Sequence, residues 1–426
     1  MNFSISKIKS DFAETIQIGG SKSISNRLLI IKGLGQSKCA ISNISESNDT
    51  MSLLDFVARI ETCERSRIPM IIDVGNAGTV ARFLSAYLSF REGKWLITGT
   101  ERMKKRPMQS IVDSLHQLGA EISYAGVNGF LPLRITGSDI RGKEITTDVS
   151  ESSQFVSAIL MIAPYLENGL IINFKGEPVS MPYMEMTQKL MQKFGVHVNL
   201  TKEKAVVLPG KYEFHPCSVE PDWSSASYWY ECVALSEYGE IFLPGYAKNS
   251  LQGDSIVVSI YEKLGVRTEF MIDGIKLSKS KVDIKEFSYD FKGFPDIVPT
   301  VMVTCAALGI DSEFININQL LYKESNRIEA LRTELKKIGS NLTKRGNIHK
   351  LTNTKINSKN LIFNTYKDHR MAMCLAPLIL KYDTIEIENP EIVNKSYPSF
   401  WDDFKKLNFA HLVTKSTNNT HGEQTS

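Results

Sequence analysis

Apolar positions along the chain fall into two alternating patterns. Stretches such as Leu28-Leu29-Ile30-Ile31, 155–163 and 297–308 are apolar almost throughout and predict buried helices, and Ile111, Leu115 and Leu118 recur at helical spacing. Between them lie short runs such as Lys94-Trp95-Leu96-Ile97-Thr98 and Gly169-Leu170-Ile171-Ile172-Asn173-Phe174, which predict strands. One junction returns four times: a helix end, a glycine, then a strand start. It reads Leu115-His116-Gln117-Leu118-Gly119-Ala120-Glu121-Ile122, Met191-Gln192-Lys193-Phe194-Gly195-Val196-His197-Val198, Tyr261-Glu262-Lys263-Leu264-Gly265-Val266-Arg267 and Leu335-Lys336-Lys337-Ile338-Gly339-Ser340-Asn341-Leu342. A helix C-terminus that turns left-handed favours Gly, and Asn next.

The four glycines stand 76, 70 and 74 residues apart. A fifth copy, Phe404-Lys405-Lys406-Leu407-Asn408, follows 69 residues later with Asn408 in place of Gly. One period before Gly119 lies the helical stretch 52–57, which lacks the Gly. The 426 residues therefore divide into six α/β units of about 70. A chain of this length exceeds one ordinary core, so three units in each of two domains is the expected arrangement. The polar tail from about Lys415 is expected to be disordered.

Composition narrows the partners. Hydrophobic residues make up 42% and charged residues 23%, and the net charge is +3. That balance points away from nucleic acid and from an anionic membrane. The start Met1-Asn2-Phe3-Ser4-Ile5-Ser6-Lys7 has no long apolar h-region, and no apolar run approaches the roughly 20 residues of a membrane span, so a cytoplasmic protein is expected. Six cysteines, Cys39, Cys63, Cys217, Cys232, Cys305 and Cys374, show no CxxC spacing and read as reduced and mostly buried. Seven histidines form no pair at metal-ligand spacing, so no metal is expected.

Anion-binding chemistry must then come from local clusters, and six stand out. Gly19-Gly20-Ser21-Lys22-Ser23-Ile24-Ser25-Asn26-Arg27 puts glycines, hydroxyls and two cations at a helix start; Ser21, not Gly, precedes Lys22, so it is no P-loop. Gly75-Asn76-Ala77-Gly78-Thr79-Val80-Ala81-Arg82 is a Gly-rich turn into a helix. Arg102, Lys104, Lys105 and Arg106 lie just before Pro107 and another helix. Ser152-Ser153-Gln154 and Ser180-Met181-Pro182-Tyr183 offer hydroxyls at two more helix starts. Pro295-Asp296 joins Tyr322-Lys323-Glu324-Ser325-Asn326-Arg327, and Lys367-Asp368-His369-Arg370-Met371-Ala372-Met373 is followed by Lys395. Taken singly, each also reads as a helix cap or a solvated charged turn. Together, with no metal set, nucleotide fingerprint or Ser-His-Asp arrangement, they point to a substrate with several negative charges held between two halves.

These motifs, in this order from about residue 15 to residue 408, resemble the 3-phosphoshikimate 1-carboxyvinyltransferase (EPSP synthase) family of the shikimate pathway, which leads to chorismate and the aromatic amino acids. The resemblance also covers Asp222 with Ser224-Ser225-Ala226-Ser227-Tyr228, and Gln252-Gly253-Asp254. It implies a two-domain inside-out α/β barrel, the enolpyruvyl transferase fold, with six βαβαββ repeats, three per domain. One domain is expected from 1–19 plus 220–426 and the other from 20–219, with the hinge crossings near 19 and 220. The implied reaction moves the enolpyruvyl group of phosphoenolpyruvate to the 5-hydroxyl of shikimate 3-phosphate. It proceeds by addition and then elimination of phosphate, through a tetrahedral ketal, with no cofactor. The chain itself is expected to be a monomer.

Carried over by position, Lys22, Arg106, Arg327, Arg370 and Lys395 resemble the phosphoenolpyruvate clamp, with Gly78 lining that pocket. Ser23, Arg27, Ser152, Ser153, Ser180 and Lys323 resemble the shikimate 3-phosphate site, with Gln154 between the two ligands. Asp296 resembles the base at the 5-hydroxyl, and Glu324 with Lys22 the proton carriers at the methylene. The chain departs from the family pattern at Asn326, where Asp is usual and a supporting ion pair is expected to be absent. It departs also at Gln319, Pro221, Trp223 and Phe83. The rival within the fold acts on UDP-N-acetylglucosamine and generally carries a loop Cys, which Arg106-Pro107-Met108-Gln109 lacks. An inactive anion-binding scaffold would have lost some of Lys22, Arg106, Asp296, Glu324 and Arg370, and all are present.

Overall fold

The computed structural model describes residues 2–7, 11–62, 68–354, 361–407 and 409–415, the last as backbone and without side-chain detail for 409–415. Cys63, the Asn408 cap and the tail 416–426 lie outside the described residues. The repeat takes a definite form. Strand Glu286–Asp290 runs parallel to Asp311–Ile315, which pairs antiparallel with Ile348–Asn353, and that strand pairs with Ser340–Arg345. Helices Val298–Leu308 and Arg327–Lys336 fill the two crossovers, giving βαβαββ. All four junction glycines adopt positive φ: Gly119 82°, Gly195 87°, Gly265 87° and Gly339 87°. Gly therefore stops each helix and turns the chain into a strand without the Cβ penalty.

Among the described residues, five sheets of four strands are built on this plan. The remaining unit, the first along the chain, is reduced. Its helices Lys22–Leu34 and Asn48–Thr62 are present, but among the described residues its sheet is the parallel pair Ile41–Ser42 and Cys217–Ser218.

Burial shows why the layers are inside out. Strands such as Tyr238–Pro244 and Glu144–Asp148 alternate exposed and buried positions, so each sheet shows one face to water. Three of the helices have no such polar face. Val298–Leu308 buries nine residues, Gly78–Ser89 all but one, and Trp223–Leu235 all thirteen. A helix apolar on every side must be enclosed, and here the sheets enclose it. No helix among the described residues is long and apolar enough to cross a membrane. Cys232, Cys305 and Cys374 are buried free thiols, and Cys39 and Cys217 are half-buried free thiols.

Two hydrophobic cores result. One contains residues 24–219, and the other joins Ile5, Phe12, Ile16 and Ile18 to residues 223–407. The N-terminal strands Asn2–Lys7 and Asp11–Thr15 join sheets of the second core. The chain passes between the cores twice, side by side: Ser21 N–H donates to the Glu220 carbonyl at 2.8 Å and Asp222 N–H to the Gly19 carbonyl at 3.1 Å. Gly20 is required there, because a Cβ would lie 1.8 Å from the Asn43 carbonyl oxygen.

One core residue has a measurable cost. Glu231, on Trp223–Leu235, is fully buried and, among the described residues, neither carboxyl oxygen has a hydrogen-bond partner. Burial pushes its carboxyl well above the usual value. Below that usual value, about 4.3, both folded and unfolded chains are protonated; above it only the unfolded chain ionises, so stability falls as pH rises toward the raised folded value. Glu231→Gln removes the ionisation and keeps the shape. It is expected to stabilise the fold by about 2 kcal/mol at pH 7 and by clearly less at pH 4.5. Urea melts at the two pH values check this, and an equal effect at both would contradict it.

Candidate active site

Helix starts from both cores face one another across a cleft. From the first core come Lys22–Leu34, Gly78–Ser89, Ser153–Ile162 and Met181–Lys193; from the second come Arg327–Lys336 and His369–Leu375. Several starts are capped by the residues that the sequence offers. Ser21 accepts from Ile24 N–H, Ser152 from Gln154 N–H, Asn326 from Glu329 N–H and Asp368 from Arg370 N–H. Capping and ligand binding are compatible, because a cap uses one of the four free N–H groups at a helix start. The partial positive charge of these ends adds to the side-chain cations.

Between them lies a cavity of about 950 Å³ including its mouth. It brings together Lys22, Ser23, Arg27, Gly78, Arg106, Ser152, Ser153, Gln154, Ser180, Asp296, Lys323, Glu324, Arg327 and Arg370. Of the expected residues, Lys395 does not line it. Its ammonium sits behind the wall, 2.8 Å from Asp49 Oδ1 and 3.1 Å from the Asn76 carbonyl.

The charges form two connected groups. Asp296 Oδ2 lies 2.9 Å from Arg370 Nη2, and Asp296 Oδ1 lies 3.5 Å from both Lys323 Nζ and Arg327 Nη1. Burial alone would push the Asp296 carboxyl up, but Arg370, Lys323 and Arg327 outweigh it and hold the group well below the usual range. Arg327 also donates to Glu324 at 2.7 Å and to Asp368 at 2.8 Å. Glu324 is balanced likewise: burial opposes its ionisation, and Arg327, Arg106 and Lys395 win. Arg106 reaches Glu324 at 3.6 Å and the Asn76 carbonyl at 3.1 Å. In the second group, Asp49 bridges Lys22, at 3.2 Å, and Lys395. Burial raises the Asp49 carboxyl, but Lys395 and Lys22 overcome this and leave it below its ordinary value.

Gly78 has a specific reason. A Cβ there would stand 2.5 Å from Arg106 Nη2 and 2.6 Å from its Cζ. Arg106 is 3% exposed and tied to Asn76, so its guanidinium has little room to retreat. Arg27 is also buried, donating to Thr187, Ser157 and the carbonyls of Ser23 and Tyr183, so it forms the cavity floor. Phe83, a departure from the family pattern, lies beneath it, 5.3 Å from ring centre to guanidinium carbon. Asn326, another departure, serves as the cap of Arg327–Lys336. Gln319 lines the cavity, and the Trp223 ring packs edge-on against Tyr246.

Other residues were not singled out from sequence as site residues. Arg82 donates to Gln154 Oε1 at 2.5 Å, while Gln154 Nε2 donates to Thr79 at 2.9 Å, so the amide is held at both ends. Asp49 organises two lysines, Asp368 anchors Arg327, and the Tyr183 hydroxyl reaches Asp296. His369 lines the cavity with Nδ1 3.8 Å from Asp368 Oδ1 and, among the described residues, no hydrogen bond to either ring nitrogen, and burial then Lys22 hold it neutral, well below its usual pKa. Arg82, Tyr183, Asp368 and His369 did lie inside motifs; Asp49 had no such signal. The cation run 102–106 splits. Arg102 crosses the cleft to the carbonyls of Leu321, Lys323 and Glu324, and Lys104 pairs with Glu101 at the surface.

Two helix-cored α/β globules with a cation-lined cleft between them have the enolpyruvyl transferase architecture. The solved EPSP synthase from Acinetobacter baumannii superposes with a TM-score of 0.75 over 95% of this chain and 98% of that one, at 22% identity. The family model "EPSP synthase (3-phosphoshikimate 1-carboxyvinyltransferase)" matches residues 6–404. A 3-phosphoshikimate 1-carboxyvinyltransferase of Bacteroides fragilis is 43% identical over 407 residues, covering 95% of this chain and 97% of the relative. One from Pasteurella multocida is 33% identical over 423 residues, covering 93% and 95%. The chain belongs to the EPSP synthase family.

Proposed function

We propose that this chain transfers the enolpyruvyl group of phosphoenolpyruvate to the 5-hydroxyl of shikimate 3-phosphate and releases phosphate. The observation that carries the reading is the meeting of Lys22, Asp296 and Glu324 with Arg106, Arg327 and Arg370 in one cavity. The reaction needs a base at the hydroxyl, an acid at the enol methylene, and fixed cations for a carboxylate and a phosphate.

In this reading Arg106, Arg327, Arg370 and Lys22 hold phosphoenolpyruvate, with Lys395 supporting Lys22 through Asp49. Arginine forks suit its two anionic groups. Ser23, Arg27, Ser152, Ser153, Ser180 and Lys323 hold shikimate 3-phosphate, and Gln154, fixed by Arg82 and Thr79, stands between the ligands. Asp296 is ionised by its cations and takes the 5-hydroxyl proton. Glu324 and Lys22 carry protons to and from the methylene. A carboxylate or phosphate that takes Arg327 and Arg106 as partners weakens their hold on Glu324 and raises its affinity for a proton. Protonation makes C2 electrophilic, the 5-oxygen adds, and loss of a methyl proton with phosphate completes the transfer.

The same proposal assigns residues 1–19 with 220–426 to one domain and 20–219 to the other, hinged at the paired crossings Gly19–Ser21 and 220–222. It places the enzyme in the cytoplasm as a monomer, since one chain supplies the whole set of charges. A sedimentation mass near 47.8 kDa is expected, and a dimer mass would contradict that part. Phosphate release tests the function. It is expected with phosphoenolpyruvate plus shikimate 3-phosphate and not with phosphoenolpyruvate plus UDP-N-acetylglucosamine; the reverse pattern would overturn the assignment.

A further inference from the structure

Behind Asp296 lies a second carboxyl group that the reaction above does not use. Asp254 is fully buried in the turn Gly253–Ile256 and, among the described residues, pairs with no cation. Its partners are hydroxyls. Ser224 donates to Oδ2, and the Tyr183 oxygen lies 3.2 Å from Oδ1 and 3.3 Å from Oδ2. The same Tyr183 oxygen lies 3.3 Å from Asp296 Oδ2.

A phenol has one proton to donate, and two carboxyl groups compete for it. If both are ionised, one of them faces the lone pairs of the phenol oxygen. If Asp254 carries a proton, every contact is satisfied in one direction: Asp254 O–H to Tyr183 Oη, then Tyr183 O–H to Asp296 Oδ2. Tyr183 keeps its own proton, because burial, Asp254 and Asp296 all push its pKa well above the usual value. Other charged groups facing Asp254 are Arg370, which favours its ionisation, and Asp222, which opposes it. Burial first and Asp296 second outweigh Arg370 and push Asp254 up to about 7.

We propose that Asp254 is a positioning residue for the reaction: in its protonated form it donates to Tyr183, and so directs the Tyr183 hydroxyl onto Asp296. Arg370 and Tyr183 then both occupy Oδ2 of Asp296. Oδ1, with its longer contacts, is the oxygen turned to the substrate hydroxyl. Tyr183 belongs to the core of 24–219 and both aspartates to the other half, so the chain of donors is completed across the cleft. As pH rises and Asp254 ionises, it competes for the Tyr183 proton and Asp296 loses its orientation.

This inference rests on the enolpyruvyl transfer reading, and the test separates the two. With the wild-type enzyme, kcat for phosphate release from phosphoenolpyruvate plus shikimate 3-phosphate is expected to fall on the alkaline side. Asp254→Ala is expected to lower kcat about 10- to 100-fold, as loss of an orienting partner does, with the shikimate 3-phosphate KM little changed. The double variant with Tyr183→Phe is expected to be no worse than Tyr183→Phe alone. Asp254→Asn, whose amide donates at every pH and whose carbonyl accepts from Ser224, is expected to restore most of kcat and to lack the alkaline fall. Wild-type kcat in Asp254→Ala, or an unchanged alkaline fall in Asp254→Asn, overturns the proposal. If Asp254→Ala shows no cooperative melt, the Asp254→Asn profile decides alone. Absence of turnover in the wild type would instead sink the enolpyruvyl transfer reading.

Discussion

Lys22→Met is expected to lower kcat by about 10³-fold or more while the protein keeps the wild-type melting profile. Lys22 opens the helix Lys22–Leu34, and its ammonium stands at the cavity wall 3.2 Å from Asp49. Methionine matches its length and helix propensity, so packing is kept. What disappears is a cation beside the transferred group and a proton carrier near the methylene. Asp49 retains Lys395 as a partner, so no unpaired buried carboxylate is left to unfold the site. Steady-state kinetics with a thermal melt on the same sample give the answer. Near-normal turnover in a folded variant would remove Lys22 from the chemistry.

Asp296→Asn is expected to cost about 10²- to 10⁴-fold in kcat, the usual range for a lost general base. The amide keeps the shape and can still accept from Arg370, but it takes no proton. Arg327 keeps Glu324 and Asp368, so the cation cluster stays balanced enough to fold. Binding of both substrates should persist, which places the loss in kcat. A variant with normal kcat and a raised KM would make Asp296 a binding group only.

Much of this arrangement was legible in the chain. Gly119, Gly195, Gly265 and Gly339 mark helix ends because only a residue without a Cβ takes positive φ there freely, and the repeat followed from them. The reduced first unit was less legible, because periodicity counts units and does not report how many strands each one carries. Motif residues such as Arg370 and Asp296 could be named, yet their mutual contact joins segments that no local pattern connects. Asp49 shows the limit most plainly. It lies in Ser47-Asn48-Asp49-Thr50, an ordinary helix start, and its role appears only when Lys395 arrives from 346 residues away. Asn326 shows the converse: the missing carboxylate was visible, but the capping contact that Asn makes required the backbone geometry.

The central claim is an addition–elimination in which a protein group protonates the enol methylene. Its most direct test is the reaction of phosphoenolpyruvate with shikimate 3-phosphate in D₂O, read by NMR of the product. Protonation from exchangeable side chains followed by loss of a methyl proton must place deuterium in the vinyl methylene of the product, with phosphate released in equal amount. Enolpyruvyl product whose methylene carries only protium would contradict the account.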